Sequence, residues 1–221
     1  MDRISKDKAI SLLALPNGIL YAYCIEKLED QYRIGFKMVD FDSGKISNVT
    51  KSIFMLTKFG VDYKAFMPNI KNYLTCFSLL LEGGQTFVVE KDGSATLFDK
   101  GEELWQGKLL YKNTAPGGIT VNGESLWVSY PEHNVLIRYN LKTLREELRI
   151  GGSNSPFNKA EGLFPAGGKL FVCNSGSNTI YKVDAQNYTT DLYFQFEEPV
   201  YDYKFINKYE IASLESGIYL L

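Results

Sequence analysis

The chain is a succession of short apolar runs separated by turn-forming residues. The clearest example is residues 169–184, Lys-Leu-Phe-Val-Cys-Asn-Ser-Gly-Ser-Asn-Thr-Ile-Tyr-Lys-Val-Asp. Apolar runs at 170–173 and 179–183 flank the polar segment 174–178, with β-branched and aromatic residues on either side of turn formers; this predicts a β-hairpin. The unit recurs. Leu126-Trp127-Val128-Ser129 and Leu170-Phe171-Val172-Cys173 are offset by 44 residues (126 to 170). At the same offset Gly118 meets Gly162, Asn134 meets Asn178, Leu136 meets Ile180, Arg138 meets Lys182 and Asn140 meets Asp184. An offset of 39 residues links Phe87-Val88-Val89 to Leu126-Trp127-Val128, and the strand starting at Leu170 to Tyr209-Glu210-Ile211-Ala212. A looser copy opens the chain, with residues 19–23 and 34–39 as its two hairpin strands.

Each hairpin is preceded by an apolar run, at 9–15, 76–81, 118–121, 162–164 and 200–205. Ser11-Leu12-Leu13-Ala14-Leu15 and Phe77-Ser78-Leu79-Leu80-Leu81 barely alternate, as expected of strands covered on both faces. The run that follows each hairpin is more polar, as in 102–107 and 144–150, which suits an outer edge facing water. Residues 40–44 (Asp-Phe-Asp-Ser-Gly) and the pair Asp92-Gly93 are strong turn sequences, and Asn122-Gly123 and Gly167-Gly168 separate first from second strands at matching positions. Five repeats in 221 residues average about 44 each. The fold class this predicts is all-β: a single-domain, five-bladed β-propeller with four-stranded antiparallel blades. A lone four-stranded sheet cannot bury both faces, whereas sheets stacked around an axis shield one another. The blades are expected at roughly 9–58, 75–111, 116–152, 160–197 and 198–221 plus 1–8. The last repeat has only three strands, so the N-terminal segment 2–8 is expected to close its blade as the fourth. Residues 60–75 break the rhythm; Pro68 either opens one short helical turn there or the segment is an ordered loop.

Residues 171–180, Phe-Val-Cys-Asn-Ser-Gly-Ser-Asn-Thr-Ile, resemble the repeat of bacterial and archaeal propellers known by the Tyr-Val-Thr-Asn (YVTN) motif, and the related NHL repeats. Val172, Asn174, Asn178 and Thr179 match that pattern, while Phe171 replaces Tyr and Cys173 replaces Thr. Residues 126–140 match less closely, with Tyr130 where Asn174 stands. The resemblance covers about two fifths of the chain; it implies a propeller and no particular activity.

Composition adds mostly exclusions. Hydrophobic residues make up 45% and charged residues 23%, an ordinary globular mix. The net charge of −2 gives no signature of nucleic acid or acidic lipid as a partner. No apolar run is long enough for a helix to span a membrane. Cys24, Cys76 and Cys173 lie in apolar runs without CxxC spacing; they read as small buried hydrophobes, compatible with a reducing compartment. Arg3, Lys6 and Lys8 ahead of 9–15 have a secretory look, but the apolar run is short and lacks a cleavage site, so it reads as a strand rather than a signal peptide. Asn48-Val49-Thr50 and Asn187-Tyr188-Thr189 fit the glycosylation pattern and are read as coincidental.

Candidate chemistry gathers on one predicted face, formed by the loops inside each hairpin and the connections from blade to blade. His133 is the only histidine, which rules out His-rich metal sites. No nucleophile-elbow glycine pattern surrounds any serine. Tyr130, His133, Phe157 and Tyr63 fall in loops and are the candidates for a partner surface. The propeller resemblance brings in lactonases that hold a divalent metal with two carboxylates and an asparagine; Glu161, Asn174 and Asp202 are the residues here that would supply such oxygen ligands. The reading is a non-catalytic binding or assembly module for a protein partner, without cofactor, nucleic acid or membrane span. The alternatives are a metal-dependent lactonase or lyase, a carbohydrate-binding propeller of the lectin kind, and a virion structural protein. Oligomeric state is open.

Overall fold

The computed structural model describes residues 1–14, 19–28, 31–40, 45–49, 77–80, 84–90, 92–206 and 208–221. These residues form five four-stranded antiparallel sheets. The chain starts with β1 (Asp2–Ser5). Blade 1 follows as β2 (Ala9–Ala14), β3 (Ile19–Leu28), β4 (Gln31–Asp40) and β5 (Lys45–Val49). Blade 2 holds β6 (Phe77–Leu80), β7 (Thr86–Val89), β8 (Ser94–Asp99) and β9 (Glu102–Lys108). Blade 3 holds β10 (Gly118–Asn122), β11 (Ser125–Tyr130), β12 (Val135–Asn140) and β13 (Glu146–Gly151). Blade 4 holds β14 (Ala160–Ala166), β15 (Lys169–Asn174), β16 (Thr179–Asp184) and β17 (Thr190–Gln195). Blade 5 is β18 (Val200–Ile206), β19 (Tyr209–Leu214) and β20 (Gly217–Leu220), completed by β1 on the outer edge of β20. Arg3 pairs with Tyr219 and Asp2 with Leu220, so the expected closure by the N-terminal segment is present. Residues 50–76, which include Pro68 and Tyr63, lie outside the described residues, as do the turn at 41–44 and Cys76.

The first strand of each blade is innermost. β6 lies against β10, β10 against β14, β14 against β18 and β18 against β2. Glycine permits two of these approaches. A Cβ on Gly118 would stand 1.8 Å from the Glu161 carbonyl oxygen, and one on Gly162 would stand 2.4 Å from that of Tyr201. These are backbone atoms of the neighbouring strand, so no side chain can swing aside. The glycine match at 118 and 162 is therefore a packing requirement repeated from blade to blade.

An apolar cluster fills each of four seams among the described residues. Phe87, Leu126, Val128 and Ile137 lie between blades 2 and 3; Trp127, Leu136, Leu163 and Leu170 between 3 and 4. Between 4 and 5 lie Ile180, Val200, Tyr203 and Leu214, and between 5 and 1 lie Leu12, Leu20, Ile211 and Ile218. Burying each such side chain is worth about 1.5–3 kcal/mol, so the seams rather than the turns hold the ring. Trp127 is core between blades. The outer strands β9 and β13 expose their charged residues to water.

Candidate functional site

Among the described residues of blades 2 to 5, the hairpin loops and the connections beside them meet on one face and are bonded to each other. Gly93, Asn134 and Asn178 occupy the left-handed region at the end of their hairpin loops (φ 79°, 54° and 59°). Their carbonyls accept the N–H of Leu109 (2.8 Å), Gly152 (3.0 Å) and Phe196 (2.8 Å), the residue just after each outer strand. Asn134 Oδ1 accepts the Lys159 N–H at 2.9 Å, and Asn174 Oδ1 the Asn158 N–H at 3.1 Å. The Glu198 carboxylate accepts the Ser216 N–H (2.8 Å) and hydroxyl (2.5 Å). Each of these loops is thus held by the connection beside it, and this part of the face needs little ordering on contact.

The three metal candidates sit near the inner end of this face, but each already accepts a hydrogen bond from the protein. Asn174 is 0% exposed; besides binding Asn158, its Nδ2 donates to the Val172 carbonyl at 3.0 Å. It locks its own hairpin to the incoming connection. Asp202, 4% exposed, accepts the Leu12 N–H across the seam (2.7 Å), the Tyr203 N–H (2.8 Å) and the Lys204 ammonium (2.7 Å). Glu161 accepts the Ser175 hydroxyl at 2.6 Å. Burial pushes the Glu161 carboxyl up, against the pull of Ser175, Lys8 and Lys159. Among the described residues no group of three His, Cys, Asp or Glu side chains is placed to hold a metal ion.

Two of the proposed surface aromatics require correction. Tyr130 ends β11 and is 0% exposed, its hydroxyl 3.1 Å from that of Tyr139. Phe157 is 2% exposed, packed edge-on against Tyr181. The sequence places both in polar surroundings, but each ring turns into a seam where its apolar area leaves water. Neither offers its ring to a partner. Tyr63 lies outside the described residues. His133 does reach the face, in a short turn Pro131–His133, with its ring edge-on to Tyr111 at 5.2 Å. Its Nε2 is shielded from water without a hydrogen-bond partner.

A polar cluster that the sequence reading passed over joins blades 5 and 1. The Lys8 ammonium lies 2.6 Å from the Glu215 carboxylate, 3.1 Å from the Tyr201 hydroxyl and 4.3 Å from the Tyr201 ring centre. The Tyr201 hydroxyl also donates to Glu215. Burial works against the Lys8 charge, but the bonds to Glu215 and Tyr201 prevail and hold its pKa above the usual lysine range. Beside it, the Ser213 hydroxyl donates to the Ala9 carbonyl. The signal was the predicted closure itself, which brings residues 2–8 to the loop that starts at Glu215.

No protein-family model matches the chain, and no curated protein sequence does either. Solved structures do. The WD40 β-propeller domain of Doa1 aligns over 95% of this chain and 62% of its own, at 9% identity and a TM-score of 0.55. Sqt1 of Saccharomyces cerevisiae aligns over 95% and 67%, at 9% identity and a TM-score of 0.51. A chain of the mitotic checkpoint complex aligns over 96% and 59%, at 11% identity and a TM-score of 0.51. The chain thus spans about three fifths of the length of the Doa1 and checkpoint chains. At such low identity the likeness concerns architecture, and with the sheet topology it makes this chain a β-propeller.

Proposed function

We propose that the chain is a non-catalytic binding module that uses the face bearing the hairpin loops and blade connections to hold a protein partner. The observation that carries this reading is the bonding of that face to itself across blades 3 to 5, through Asn134, Asn174, Asn178 and Glu198, which braces these loops and leaves a preorganised surface there. Rigid surfaces lose little entropy on binding. Propellers among the solved structures include a chain of a multi-protein complex, which fits the reading. Within propellers we assign the repeat to the YVTN/NHL-like type. Val172, Asn174, Asn178 and Thr179 support this, since Asn174 and Asn178 hold the hairpin in the manner described.

Affinity purification with native mass measurement tests the reading. Glu132→Lys with Glu197→Lys alters exposed residues of the proposed face; Lys142→Glu with Gln186→Lys alters exposed residues of the opposite one. A stoichiometric protein partner should be lost with the first pair and kept with the second. The reverse pattern, or no partner with the unaltered chain, would overturn the reading.

A further inference from the structure

The seam between blades 5 and 1 is built differently from its neighbours. Where blades 3 and 4 meet through Gly118 and blades 4 and 5 through Gly162, Asp202 stands in the corresponding strand of blade 5 and bonds across to Leu12. Next to it the Lys8 ammonium sits among an aromatic ring, a hydroxyl and a carboxylate. An aromatic face with an acidic group beside it is the chemistry that recognises an organic ammonium.

We infer that Tyr201 and Glu215, with Glu161 nearby, form an ammonium slot on the partner face, occupied in cis by Lys8 and able to receive a lysine side chain of a protein partner in its place. The partner half of this inference rests on the binding reading above; the slot does not. Three features support exchange. Tyr201 and Glu215 both belong to blade 5, so they keep their positions when the Lys8 side chain moves. The Lys8 side chain is one third exposed, at 33%, on a long flexible stem, so it can leave while its backbone stays between β1 and β2. With Lys8 gone, Glu215 remains at the slot, Glu161 stands close enough to feel the Lys8 charge, and Glu197 and Glu198 lie on the adjoining connection, leaving a negative environment. Lys8 therefore closes a site that favours cations and competes with an incoming lysine.

The probe is n-butylammonium chloride, added to the full chain, to Lys8→Ala and to Lys8→Ala/Glu215→Gln. The Lys8→Met variant, which retains the apolar stem, replaces Lys8→Ala if the latter does not fold. The vacated slot should bind the probe about tenfold more tightly than the full chain does, the difference expected when a cation–π contact and an ion pair become available. The probe should also raise the thermal midpoint of the Lys8 variant saturably, perturb the Tyr201 ring resonances and lose both effects when Glu215→Gln is added. Equal binding by the full chain and the Lys8 variant, or unchanged binding after Glu215→Gln, would overturn the slot. A slot that behaves as described, alongside partner capture insensitive to the charge reversals above, would overturn the binding reading alone.

Discussion

At the end of β16, Asp184 accepts the Lys169 ammonium at 2.5 Å and the N–H groups of Gln186 and Asn187 at 2.8 and 3.0 Å. The bond from Lys169 leads in holding its carboxyl down to about 2. An unfolded aspartate titrates near about 3.9. Because the folded value is the lower one, this group contributes stability above the unfolded value and loses it as pH falls toward the folded value. Asp184→Asn should therefore lower the denaturation midpoint by a constant amount from about pH 5 to 8, with the gap closing below about pH 4. A gap undiminished at pH 2.5 would contradict the assignment. Asn140 builds the matching turn in blade 3, accepting the N–H groups of Lys142 and Thr143. The Asn140–Asp184 match in the sequence therefore records a turn that needs an acceptor oxygen, not a shared site.

Strands pack according to what their residues allow at closest approach. Gly118→Ala would drive a methyl into the Glu161 carbonyl, and the strands can only separate. It should cost about 1–3 kcal/mol, as overpacking does. Gly123→Ala, in open space but at a positive φ of 60°, serves as the comparison and should cost less. Equal urea midpoints for the two variants would show that β10 and β14 are not in contact. The outer strands carry a second regularity. Ile4, Leu104, Glu147 and Tyr193 each sit at a break in the register of an outer strand with its neighbour. Such bulges twist an edge away from further pairing and so guard it, together with charges such as Glu146 and Arg149, against association. The glycines and turn asparagines were legible in the sequence because backbone geometry admits few residue types there. The bulges were not, since an extra residue changes no pattern of polarity. The burial of Tyr130 and Phe157 was hidden for a related reason: polar neighbours mark a loop, while the direction of a ring is decided by the blade beside it.

At the scale of the molecule, the repeat offset carried the architecture, and the missing strand of the last repeat carried its closure. The candidate site was less legible. Glu161, Asn174 and Asp202 were found by position, but their partners were not: Ser175 and Asn158 lie on other segments of the same repeat, and Leu12 at the far end of the chain. The Lys8 cluster exists only because the ends of the chain meet. β1 pairs with β20, Ile4 packs into the last seam, and Lys8 bridges to Glu215, so one segment joins the first blade to the fifth.

Deletion of residues 1–8, followed by thermal unfolding, tests this closure most directly. The account predicts a single transition lowered by about 10 °C or more, since several kcal/mol of strand pairing and seam burial are lost. An unchanged midpoint would contradict it, because the first strand would then hold nothing together.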